Sequence, residues 1–268
     1  MNDPAHNKDR QTPSPSPPSP AVPPAVPLAD PPAVPPAVPP ADPPAFPYPK
    51  AVSRIGPVTQ ARATEVARRL REAYPGTHEP FLNFHNPYQC VVAVSLSAQT
   101  TDANVNKVLP ELFTRWPDAH TLSRASQKDL EECVHSLGFY RNKAKNLRNM
   151  AQLVVDEYGG EIPADMDALL RLPGVARKTA NIVLSEGFGI TQGIAIDTHV
   201  FRVSHRLGLS RAKTPAATEG DLCKAFAYAD WHRINHDMIS LGREICDARR
   251  ARCELCPLVD LCPSAFKL

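Results

Sequence analysis

No stretch of the sequence approaches the ~20 consecutive apolar residues that a membrane helix requires. The first residues are polar and lack the apolar core of a secretory signal, so a cytosolic setting is expected. Runs of alternating β-branched residues are missing too, which leaves no case for a sheet. There is no P-loop, and no Gly-x-Gly-x-x-Gly stands between a strand and a helix, so nucleotide-dependent chemistry has no support. A strong charge of one sign is also lacking, since the net charge is only +2. Lys8, Arg10 and Lys50 stand against Asp3, Asp9, Asp30 and Asp42 in the N-terminal region, which leaves that region at −1 and the rest at +3. Charge alone therefore does not announce a nucleic-acid binder, and local clustering has to carry that argument.

Proline is abundant but confined: 19 of the 30 fall within positions 1–50. A segment so rich in Pro, Ala and Ser cannot bury enough apolar surface to offset the entropy of ordering it. Residues 1–52 are expected to be a disordered tail, partly polyproline-II, serving as a spacer or as a docking site for a Pro-binding partner. The 268-residue length still leaves enough chain for one or two domains with a real core.

From Val58 onward the periodicity is helical. Helices are expected at Arg62–Tyr74, Pro87–Gln99, Ala103–Trp116, Lys128–Leu137, Tyr140–Tyr158, Ala164–Leu172, Arg177–Glu186, Thr198–Leu207, Thr214–Ala229 and Trp231–Ile245. Asp102 and Ser126 read as caps, and Gly159-Gly160 as a stop. The fold class is all-α.

Seven cysteines in a reducing compartment point to ligand or redox roles rather than disulfides. Cys246, Cys253, Cys256 and Cys262 form the pattern C-x6-C-x2-C-x5-C. Structural zinc usually takes paired knuckles, whereas an iron–sulfur cube accepts uneven loops, so the spacing favours iron–sulfur and leaves zinc open. Cys90, Cys133 and Cys223 lie on apolar faces and read as small buried hydrophobes. Arg249, Arg250 and Arg252 project from the first of the ligating loops, as phosphate contacts or as a solvated basic loop.

Leu172-Pro-Gly-Val-Ala-Arg-Lys-Thr-Ala180 joins two helices through a turn forced by Pro173 and Gly174. The second helix restarts near Arg177 with its first amides unpaired, and a phosphate oxygen can sit on those donors. Lys178 lies in that first turn. The dipole works against an ammonium there, partial burial would add to the effect, and both favour a neutral nucleophilic amine; the plain alternative is a surface lysine. Asp197 reads as an N-cap, and also as a carboxylate able to take a proton or stabilise a cationic sugar.

Leu172–Leu184 (LPGVARKTANIVL), Ile196–Val203 (IDTHVFRV), Leu96–Lys107 (LSAQTTDANVNK) and the terminal cysteines together resemble the endonuclease III family of helix-hairpin-helix DNA glycosylases. The resemblance covers about residues 60–264. It implies two helical lobes with a DNA-binding cleft, one lobe formed by residues 53–79 plus 192–268 and the other, a six-helix barrel, by residues 80–191. It implies a [4Fe–4S] cluster on the four cysteines, a monomer, and double-stranded DNA with a damaged base or abasic site as partner. It also implies a prokaryotic, nucleoid-associated setting and no membrane. The implied activity is glycosylase with strand-cutting lyase, through a Schiff base on Lys178 with Asp197 beside it. Adenine glycosylases related to the family typically have serine in the lysine slot and carry an extra C-terminal domain. Leu172, Gly174, Ala176 and Arg177 would grip the phosphate backbone. Gln99 and Phe139 would fill the gap left by a flipped base, the alternative for Phe139 being core packing. Two departures stand out. Ala176 replaces the motif's second glycine, a strain of ~1 kcal/mol or more if that position needs positive φ, and Arg141 stands where the family often has Asn.

Overall fold

The computed structural model describes residues 59–76 and 80–267. The expected tail lies outside them. Eleven α-helices fill the described residues, with no strand among them. They are α1 (Gln60–Ala73), α2 (Pro87–Leu96), α3 (Asp102–Arg115), α4 (Ala119–Ser123), α5 (Gln127–Cys133), α6 (Tyr140–Tyr158), α7 (Met166–Arg171), α8 (Arg177–Ile182), α9 (Thr198–Arg206), α10 (Pro215–Ala225) and α11 (Trp231–Glu244). The all-α reading holds.

The buried apolar residues form two clusters. One runs from Leu82 to Leu184 and is built on α2, whose Cys90, Val91, Val92 and Ala93 are fully buried. β-branched residues disfavour an isolated helix, but burial of each such side chain contributes about 1.5–3 kcal/mol and outweighs that preference. Asn86 starts α2 by accepting from the Gln89 amide, and Pro87 supplies a ready φ at the first position. The second cluster joins α1 to Ile194–Leu258, with α9 and α11 packed together.

Local chemistry explains most boundaries. Ser126 caps α5 as expected, although the helix stops at Cys133 rather than Leu137. Gly159 closes α6 at φ 63, with the Gly160 amide bonded to the Val154 carbonyl. Three expectations need correction. Asp102 does not cap α3: it is the first helical residue, and its carboxylate pairs with Arg243 at 2.7 Å. α2 ends at Leu96, which places Gln99 in a loop at φ 54. The helix from Arg177 is α-helical only to Ile182 and continues as a π-helical segment, Val183–Gly187. The short α4, capped by a reciprocal Asp118–Thr121 pair, went unread because its apolar pattern is too short to show a period.

Candidate active site and metal centre

A cavity of about 1110 Å³ opens between the two clusters. Lys178 and Asp197 both line it, together with Gln99, Asp102, His236 and Arg243. Lys178 sits in the first turn of α8, at the hairpin's exit. It is exposed, so the partial burial expected for it is absent. Asp197 is half-buried, and its Oδ1 caps α9 by accepting from the Val200 amide at 2.7 Å. The capping bond leaves Oδ2 available.

The hairpin is shaped by Gly174. Its φ of 83 is one that side chains rarely adopt, and an added Cβ would lie 3.2 Å from the Asn146 side chain. Ala176 is the N-cap residue of α8 with φ −92 and ψ 169, so the substitution of alanine for glycine there brings no backbone strain. No side chain caps α8, which leaves its first amides open to an anion. Two hairpin side chains have partners within the protein. Leu172 is 2% exposed and belongs to the core, so only its backbone serves the turn. The Arg177 guanidinium is held by Glu219 of α10 at 2.8 Å, and Asn181 donates to the same carboxylate at 3.0 Å.

Phe139 is 65% exposed and is not packed in the core. Both it (φ 58) and Gln99 (φ 54) adopt the left-handed backbone region without being glycine. They line a second cavity of about 260 Å³ with Gly174 and Lys143. Hairpin and loop tips therefore share one face. Lys143 was not singled out from the sequence: its amine is buried, donates to Thr100 Oγ1 at 2.5 Å, and has its pKa lowered by that burial. A left-handed Phe costs about 1–2 kcal/mol relative to Gly. Phe139→Gly is accordingly expected to raise stability by about 1 kcal/mol in denaturant melts while weakening processing of a base lesion.

The four C-terminal cysteines line one small cavity of about 20 Å³, walled by Val203, Leu241 and Ile245. Burial pushes the Cys256 thiol up to about 12, and the neighbouring sulfurs of Cys246, Cys262 and Cys253 add to the effect. Burial also raises the Cys262 thiol, and buried thiols become thiolates only against strong positive charge, so the donor set fits a cationic metal group. Arg206 donates to Cys246 Sγ at 3.3 Å and to the Asp247 carbonyl at 2.6 Å, holding the loop from the helix side. From α1, Arg69 pairs with Asp260 at 2.5 Å and Arg62 donates to the Leu261 carbonyl at 3.0 Å. These α1 arginines gave no sequence signal, because their partners lie almost two hundred positions away. Asp247 Oδ1 accepts from the amides of Arg249 and Arg250, and both arginines are exposed. Arg252 is also exposed, and its guanidinium donates to the Glu244 carbonyl. Cys90 and Cys133 are core residues as expected, and Cys223 is only partly buried.

Residues 92–227 match the family model described as HhH-GPD superfamily base excision DNA repair protein. The endonuclease III of Synechocystis sp. is 48% identical over 204 residues, which covers 76% of this chain and 93% of that protein. The chain belongs to the endonuclease III family. The family's Bacillus subtilis member is 45% identical over 183 residues, covering 68% of this chain and 83% of the relative. Among solved structures, a trapped endonuclease III–DNA covalent intermediate superposes with TM-score 0.74 at 40% identity, covering 78% of this chain and 98% of that one. This family member is thus a helix-hairpin-helix base-excision-repair protein, with the cavity holding Lys178 and Asp197 between its two apolar clusters. No helix among its described residues is long and apolar enough to cross a membrane.

Proposed function

We propose that the protein excises oxidised pyrimidines from double-stranded DNA and then cuts the strand at the resulting abasic site. The observation that carries this reading is the shared cavity: Lys178 and Asp197 arrive from different apolar clusters and line the same space. The two lobes proposed are residues 53–79 plus 192–268 and residues 80–191, a division supported by the two clusters. A damaged nucleotide turned out of the helix would occupy the cavity, at an unstacking cost of a few kcal/mol. Gln99 and Phe139 would enter the vacated stack, while the hairpin around Gly174 and Ala176 and the exposed Arg249 and Arg250 hold phosphates.

The chemistry starts with the Lys178 amine attacking sugar C1′. The C1′–N bond breaks and its electrons leave with the base, which takes up a proton. Ring opening gives a protonated Schiff base between Lys178 and C1′. That cation acidifies the C2′ proton. Removal of this proton expels the 3′ phosphate by β-elimination, and water then frees the lysine. The Asp197 carboxylate takes the proton that Lys178 must lose, or stabilises positive charge on the sugar. Cys246, Cys253, Cys256 and Cys262 would hold a [4Fe–4S] cluster, whose contribution is to pin the loop bearing Arg249 and Arg250. The protein acts as a monomer in a prokaryotic cytoplasm, on the nucleoid.

The test is a duplex bearing thymine glycol, assayed for both base release and nicking. Base release without nicking would leave a glycosylase and remove the lyase. A finer test separates the two roles of Asp197. Asn remains a good N-cap, so Asp197→Asn is expected to leave the melting temperature nearly unchanged and to lower single-turnover excision by about 10²-fold or more. Asp197→Ala should also lose about 1 kcal/mol of stability.

A further inference from the structure

Glu186, His232 and His236 form a cluster that the proposed chemistry does not use. Glu186 lies in the π-helical segment that continues α8, and the histidines are one turn apart on α11. Glu186 Oε1 is 2.8 Å from His232 Nε2 and 2.7 Å from His236 Nε2. The three ligand atoms all lie within 4.8 Å of one another. The Glu186 and His236 side chains are 8% and 5% exposed, whereas that of His232 is 32% exposed.

We propose that Glu186, His232 and His236 are a binding site for a divalent cation of the zinc class, separate from the four-cysteine centre. Two imidazoles and one carboxylate suit such a cation, and three protein ligands leave a fourth position for water. Helical spacing of four residues turns both imidazoles toward the same point. The π-helical turn brings the carboxylate to that point, and such turns frequently occur at functional sites. A second observation concerns His236. Its side chain is 5% exposed, Nε2 is aimed into the cluster, and Nδ1 is buried without a hydrogen-bond partner. Glu186 and His236 also line the large cavity, and His232 is partly exposed, so a cation has routes in.

Binding replaces the two N···O contacts with N–metal and O–metal bonds. Each Nε2 presents a lone pair, and a proton held there moves to Nδ1 or to solvent. The cation would tie the segment that follows α8, and hence Lys178, to α11 across the cavity. This site does not depend on the lyase reading.

The experiment uses the full chain with its cysteine centre loaded and its iron content monitored throughout. Zn²⁺ is titrated calorimetrically, and crystals soaked in Zn²⁺ are read by anomalous scattering at the zinc edge. The expected result is one site, with a zinc peak among the three side chains and affinity lowered about tenfold or more in His232→Gln. That variant alters the most exposed ligand and is the safest for folding; Glu186→Gln and His236→Gln are its companions. Unchanged affinity in His232→Gln, a peak elsewhere, or no binding with iron intact would overturn the proposal.

Discussion

Lys178→Ala is expected to abolish borohydride trapping of a covalent complex with abasic-site DNA. Nicking should fall by roughly 10³-fold or more, the scale of loss when a covalent nucleophile is removed. The reason is chemical: without a primary amine there is no Schiff base, and without that cation the C2′ proton is not acidic enough to leave. Lys178 is exposed, so the variant should fold with stability within about 0.5 kcal/mol of the parent. DNA binding should persist, because the hairpin turn and the α8 amides are untouched. The informative control is Lys143, the buried amine beside the Gln99 loop. Lys143→Met should keep the trapped complex even if affinity changes. Full trapping by Lys178→Ala would end the assignment, and loss only in the Lys143 variant would move it.

The second large effect is expected from the cysteine centre. If the proposed cluster is bound, Cys256→Ala should lose iron and about 4 kcal/mol or more of stability, because binding of such a group is part of folding. For a chain of this size that is a fall in melting temperature of roughly 8–16 °C. The damage should spread from the cavity walls of Leu241 and Ile245 to the α1 contacts of Arg69 and Arg62, since those arginines hold the same segment. Arg249 and Arg250 would lose their fixed backbone, and affinity for undamaged DNA should drop with a shallower salt dependence. Iron analysis, a thermal melt and binding at two salt concentrations check this. An unaltered melt, or stoichiometric zinc in the parent protein, would contradict it.

Local chemistry written in neighbouring residues was readable in the sequence. The hairpin, the Asp197 cap, the α6 stop at Gly159 and the four-cysteine spacing each involve groups a few positions apart. Asp102 shows where such reading fails. It has the composition of a cap, but Arg243 lies 141 positions away and takes its carboxylate in the folded chain. Phe139 shows a different limit. The resemblance implied a place outside the core with core packing as the alternative, and only the left-handed turn that throws the side chain outward removes that alternative. Glu186, His232 and His236 carried no signal at all, since a lone Glu and an i,i+4 histidine pair are ordinary on helical surfaces.

By itself the sequence determined the all-α class, the helix ends set by caps and glycines, and which residue types could do chemistry. These follow from forces that act within one or two turns. Only the tertiary structure decided that Lys178 and Asp197 face one cavity, that Arg177 is tied to Glu219, and that Glu186 meets two histidines. The physical reason is that a side chain's partner is chosen by the packing of the two apolar clusters against each other. That packing is a property of the whole chain and is written in no single segment of it.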